Sequence, residues 1–131
     1  MIILVDMDGV MADLDSRFLT LWREKHPDKG FMPSEERKDY YIIGTFPEEL
    51  KGLAFDIFSM PGFFRSLPPI PGGAEAVHEM EALGHEVYFC TAPMKRYKHC
   101  VPEKYQWIEE HVGRRWTQRL ILTRDKTLVS G

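Results

Sequence analysis

Two aspartates stand two residues apart near the start of the chain, in Asp6-Met7-Asp8-Gly9-Val10. Aspartate is common in the turn after a strand, so a plain turn is one reading of the pair. A calcium loop is excluded, because Gly9 comes too early and no glutamate closes the loop. The remaining reading is phosphoryl transfer. One carboxylate attacks phosphorus, and the other protonates the leaving oxygen and then activates water. Asp6, at a strand tip, is the candidate nucleophile, and Asp8 is the candidate acid and base. Thr91 ends a second apolar run, Val87-Tyr88-Phe89-Cys90, and Arg124 and Lys126 follow a third, Leu120-Ile121-Leu122. A hydroxyl and two cations suit a phosphate dianion.

Such a site needs the three apolar runs side by side with their carboxyl ends together, where open α/β sheets build their sites. Ile2-Ile3-Leu4-Val5 reads as a fully buried parallel strand, stopped by Gly9. From Leu14 the period changes. Leu14, Phe18, Leu21 and Trp22 recur at three and four, an amphipathic helix with Asp13 and Asp15 near its positive end. Breakers at His26-Pro27 and Lys29-Gly30 follow. A second helix runs from about Pro47, with Leu50, Leu53, Ala54, Ile57 and Phe58 on one face and Pro61-Gly62 as its end. After the stiff connector Pro68–Gly73, the residues Val77, Met80 and Leu83 trace a third helix closed by Gly84. Pro102 suits the first turn of a fourth, with Tyr105, Ile108 and Val112 inward and Gly113 as its stop.

This order predicts an α/β fold, a Rossmann-like parallel sheet core with right-handed crossovers. About fifty residues of helical pattern separate the first strand from the connector, more than a crossover needs. Residues 14–66 are therefore expected to form a small helical cap inserted after the first strand, with 1–13 and 67–131 as the α/β core.

The chain has 131 residues, one domain or one domain with a small inserted subdomain. Apolar residues at 44% and charged residues at 28% exclude a disordered chain. No apolar run approaches the ~18 residues of a membrane-spanning helix, so no membrane partner is expected. A net charge of -3 argues against a broad surface for a nucleic-acid polymer. The basic run Lys95-Arg96-Tyr97-Lys98-His99 is a solvated face or a local phosphate patch. Cys90 and Cys100 have neither a zinc spacing nor a disulfide framework, and no leader pattern opens the chain, so a cytoplasmic location is expected.

Asp6–Val10 resembles the first motif of the haloacid dehalogenase-like phosphohydrolases, Thr91 the second and Lys126 the third. Three longer stretches are similar to the pyrimidine-type 5'(3')-deoxyribonucleotidases of that superfamily. They are Val5–Asp13 (VDMDGVMAD), Cys90–Trp107 (CTAPMKRYKHCVPEKYQW) and Leu122–Ser130 (LTRDKTLVS), with Pro61–Gly73 alongside. The resemblance covers essentially the whole chain, more weakly from Lys25 to Ser59.

That resemblance implies a Mg²⁺-dependent nucleotidase that removes phosphate from deoxyribonucleoside monophosphates of the dUMP or dTMP kind through an aspartyl phosphate. A carboxylate meeting a phosphate dianion faces a repulsion of roughly 8 kcal/mol at 4 Å for an effective dielectric near 20. The resemblance implies that Mg²⁺, held by the Asp6 carboxylate and the Asp8 backbone carbonyl, offsets it together with Lys126. Thr91, Ala92 and Lys104 would also face the phosphate. Leu14 and Phe64 would enclose the sugar. Tyr40, Tyr41 and Ile42 would stack on the base and read it, and Met94, Lys95 and Arg124 would stand around base and phosphate. For each of these the plain alternative is core packing or a solvated charge.

Two departures from the family pattern matter. Ala92 stands where relatives commonly have serine. The family continues beyond Gly131 into a strand ending in two aspartates that complete the metal site. The chain is therefore expected to be C-terminally truncated, or else stabilised by a second copy as a homodimer. Two other readings stay open: a related phosphatase with another phosphate ester as substrate, and an inactive truncated fragment that binds phosphate.

Overall fold

Apolar runs too short for a helix extend and pair. β1 (Ile2–Val5), β2 (Glu86–Thr91) and β3 (Leu120–Leu122) form a parallel sheet in the order β1-β2-β3. Val5 pairs with Phe89, and Thr91 with Leu122, so the three carboxyl ends lie along one rim. The computed structural model describes residues 1–28, 46–93 and 97–123, apart from the Tyr97 side chain. Its helices are α1 (Leu14–Lys25), α2 (Lys51–Phe58), α3 (Gly73–Ala82) and α4 (Tyr97–His111). A 3₁₀ turn, Glu48–Leu50, leads into α2, and another, Arg114–Arg119, leads into β3. This is the expected α/β, Rossmann-like arrangement of helix-linked parallel strands. Residues 29–45, within the expected helical insertion, lie outside the described residues.

One apolar cluster runs through the fold. The sheet contributes Val87 and Phe89, α4 contributes Trp107 and Ile108, and α1 and α2 contribute Phe18, Trp22, Ile57 and Phe58. Phe18 is fully buried. It stacks on Phe58 with centroids 4.6 Å apart and meets Phe46 edge-on at 5.7 Å. Trp22, Trp107 and Trp116 are all buried packing residues.

Three elements depart from the expectations. β1 is not fully buried: Ile2 is 45% exposed and Ile3, Leu4 and Val5 are half-buried. Among the described residues β1 pairs with β2 alone, and an edge strand is less enclosed than a central one. Leu83 is 70% exposed because it caps α3 beyond its last turn, while Val77 and Met80 anchor that helix. The helix α4 begins at Tyr97, so Pro102 lies inside it rather than in its first turn. Pro102 is exposed, and water can replace the backbone bond its ring removes. Tyr105 is also exposed, and Trp107 takes an inward place instead. The buried stripe of α4 is Cys100, Glu103, Lys104, Trp107, Ile108 and Val112, with Lys104 near its middle and Tyr105 past its edge.

Candidate active site

The chain turns at once after β1. The Met7 carbonyl accepts the N–H groups of Val10, Met11 and Ala12 at 3.2, 2.8 and 2.9 Å, and Gly9 N–H donates to Ala12 at 2.9 Å. The turn needs Gly9 at φ +81°, a conformation that a side chain resists. Met7 is buried, and its neighbours Asp6 and Asp8 are both half-buried. The connector pins this loop: Asp13 N–H donates to Pro68 at 2.8 Å and Ile70 N–H to Met11 at 2.9 Å. Asp13 caps α1 by accepting Ser16 N–H at 3.1 Å. Leu14, the first residue of α1, is half-buried and packs on the core.

Thr91 ends β2 and is 1% exposed, and Ala92 follows it, half-buried. Lys104 is equally buried at 1%. A buried ammonium is costly unless it is paired and hydrogen-bonded. Its Nζ donates to Asp8 Oδ2 at 3.1 Å and to Thr91 Oγ1 at 2.8 Å. The Phe64 ring, itself 4% exposed, lies with its centroid 5.0 Å from the same Nζ, close enough for a cation–π contact. The structure thus brings together Asp8, Thr91, Lys104 and Phe64. The sequence reading put Lys104 within reach of phosphate, but nothing in the local pattern marks it as the cation joining the first two strand ends.

Glu103 escaped the sequence reading. It is 7% exposed, and its two oxygens accept Gly62 N–H at 2.9 Å and Arg65 N–H at 3.0 Å. A glutamate in a charged helix is ordinarily a solvated residue. The one available signal is its spacing from Trp107, which puts both on one helical face. Tyr40, Tyr41, Ile42, Met94, Lys95, Arg124 and Lys126 lie outside the described residues. Among the described residues no three His, Cys, Asp or Glu side chains gather into one group. Asp6 and Asp8 offer oxygen donors only, the set that a hard cation such as Mg²⁺ prefers and can use while keeping several waters. No described helix is long and apolar enough to cross a membrane.

A parallel sheet with an acid, a hydroxyl and a buried ammonium at its carboxyl rim is the frame of an α/β enzyme. Comparison with known proteins narrows it. Residues 1–131 match the family described as 5' nucleotidase, deoxy (pyrimidine), cytosolic type C protein, and the chain belongs to that family. A Bordetella pertussis protein, named provisionally as a 5'(3')-deoxyribonucleotidase, is 52% identical over 131 residues, all of this chain and 70% of its own length. The human cytosolic-type 5'(3')-deoxyribonucleotidase is 41% identical over 133 residues, 98% of this chain and 66% of its own length. The human mitochondrial 5'(3')-deoxyribonucleotidase is 41% identical over 132 residues, covering 98% and 58%. The family is one of nucleotide phosphomonoesterases, and the chain is an enzyme of that class.

Proposed function

We propose that the chain is a Mg²⁺-dependent nucleotidase that hydrolyses the phosphate monoester of deoxyribonucleoside monophosphates through an aspartyl phosphate on Asp6, with uracil and thymine nucleotides as substrates. The observation that carries this reading is the Lys104 ammonium, held between Asp8 and Thr91. A buried cation fixed in advance meets an arriving dianion with no reorganisation. Thr91 accepts from Lys104 and therefore keeps its own O–H to donate to a phosphate oxygen.

In the first step a carboxylate oxygen of Asp6 bonds to phosphorus. The bond from phosphorus to the sugar oxygen breaks, and Asp8 delivers a proton to that oxygen. Lys104 holds one oxygen of Asp8, and the other carries the proton. In the second step Asp8 takes a proton from water, the water oxygen bonds to phosphorus, and inorganic phosphate leaves Asp6 as a free carboxylate. Asp6 and the Asp8 backbone carbonyl would hold Mg²⁺, which when bound supplies charge against the repulsion between nucleophile and phosphate.

Ala92 and Lys126 complete the phosphate side of this reading. Tyr40, Tyr41, Ile42, Met94, Lys95 and Arg124 make the base side. Leu14 and Phe64 offer the sugar apolar surface and no partner for a 2'-hydroxyl. The names of the relatives support the same deoxyribonucleotide preference. Cys90 and Cys100 are buried and neither is in a disulfide, which suits a reducing cytoplasm.

A phosphate-release assay over deoxy- and ribonucleoside monophosphates with Mg²⁺ tests the reading. A buried hydroxyl without a partner costs about 1–3 kcal/mol, so deoxy over ribo is expected at roughly tenfold to a hundredfold. Comparable kcat/KM values for deoxyuridine and uridine monophosphates refute the preference. In acid-quench trapping Asp6→Asn yields no phosphoenzyme. A signal equal to that of the unaltered chain refutes the nucleophile.

A further inference from the structure

Helix α4 grips the segment that follows α2 at three successive points. Glu103 accepts the N–H groups of Gly62 and Arg65, at 2.9 and 3.0 Å. One turn on, Trp107 Nε1 donates to the Leu67 carbonyl at 2.8 Å. A turn further, Glu110 accepts from Arg65 Nε at 2.9 Å, and this contact is exposed. The first grip differs in kind from the third, because its carboxylate belongs to a buried residue and holds backbone rather than a side chain. The two amides it holds flank Phe64 on either side. Lys104, the residue next to Glu103 in α4, stands 5.0 Å from the Phe64 ring centroid.

We propose that Glu103 is a positioning residue for substrate selection: by clamping Gly62 and Arg65 it sets how far the Phe64 ring stands from the Lys104 ammonium, and so the width of the site on its sugar side. The inference rests on the nucleotidase reading above. Packing alone does not account for a buried carboxylate here, since both of its oxygens are engaged by backbone amides. Gln is a poor substitute, because its NH₂ end turns a donor toward one of the two N–H groups. Asp keeps two acceptor oxygens on a stem one methylene shorter. Lys104 has its own anchors on Asp8 and Thr91, so loosening Phe64 affects the sugar more than the phosphate.

The test compares deoxyuridine monophosphate with acetyl phosphate, a phosphoryl donor without a sugar. E103Q is expected to lose about tenfold or more in kcat/KM on the nucleotide, mainly through KM, and to stay within about twofold on acetyl phosphate. E103D recovers part of the nucleotide loss. E110Q, which cuts only the exposed Arg65 pair, stays within about twofold on both. Amide exchange at Gly62 and Arg65 speeds up in E103Q, a readout independent of turnover. Equal losses on both substrates, or none on either, overturn the assignment. If the unaltered chain uses acetyl phosphate but not the nucleotide, the nucleotidase reading falls instead, and the assignment with it. If E103Q does not fold, E103D supplies the same comparison, with a selective nucleotide loss supporting the assignment and a uniform loss overturning it.

Discussion

The Lys104 ammonium reaches the Thr91 hydroxyl at 2.8 Å from a helix that starts six residues after that threonine. β2 delivers Thr91 to the sheet rim, the chain turns, and about two turns into α4 Lys104 faces back toward the strand it left. The same ammonium reaches Asp8 at 3.1 Å, ninety-six residues away in sequence. One buried cation therefore joins the ends of β1 and β2.

Lys104→Met is expected to lower activity far more than stability. It removes the buried charge and keeps an unbranched stem, and Asp8 is open enough to water to stand alone, with 32% of its side chain exposed. The Thr91 hydroxyl, 1% exposed, loses its bond to the ammonium, so unfolding free energy is expected to fall by about 1–3 kcal/mol. Turnover falls by about a hundredfold to a thousandfold, the usual cost of removing one fixed donor at a developing charge. Urea unfolding beside phosphate release checks both halves.

Thr91→Val breaks the same bond from its other side. It preserves shape but takes from Lys104 an acceptor at a site 1% exposed. Leaving a buried polar group short of a partner costs about 1–3 kcal/mol. Equilibrium unfolding is expected to register that loss, and the double variant with Lys104→Met to recover most of it. Additive losses in the double variant contradict the pairing.

Phe18→Ala tests the aromatic cluster between α1 and α2. The ring is fully buried, stacked on Phe58 and edge-on to Phe46. Truncation leaves a cavity and is expected to cost about 3–5 kcal/mol. Calorimetry reads this as a lower Tm. A Phe18→Leu variant retains most of the volume and loses less.

Acid dependence is expected at Glu81. Its hydrogen bonds with Arg115 hold the carboxyl below the ordinary value of 4.5, and the charges of Arg115, Arg119 and His78 add to this, against a smaller opposing effect of desolvation. The folded state thus binds this proton less readily than the unfolded chain does. The stabilisation is present above pH 4.5 and disappears as pH falls through the lowered folded value. The Tm gap between the unaltered chain and Glu81→Gln is therefore expected near neutrality and closes in acid. A gap that persists at low pH removes the charge explanation.

Local chemistry carried much of this fold. Each strand is built on a short apolar run, and Asp13 occupies the capping position its spacing from Ser16 requires. The acid loop and Thr91 at a strand tip were legible for the same reason, because nearest neighbours in sequence decide them. Tertiary pairing decided the rest. β1 is only half-buried because its place in the sheet depends on what lies beside it. The face of α4 could not be assigned from its apolar residues, because a lysine stands near the middle of the buried stripe and a tyrosine falls outside it. A lysine in a helix reads as solvated unless an acid and a hydroxyl arrive from other strands to pair it, and a glutamate likewise unless two amides converge on it. Those partners come from residues 8, 62, 65 and 91, and only the folded chain brings them to Lys104 and Glu103.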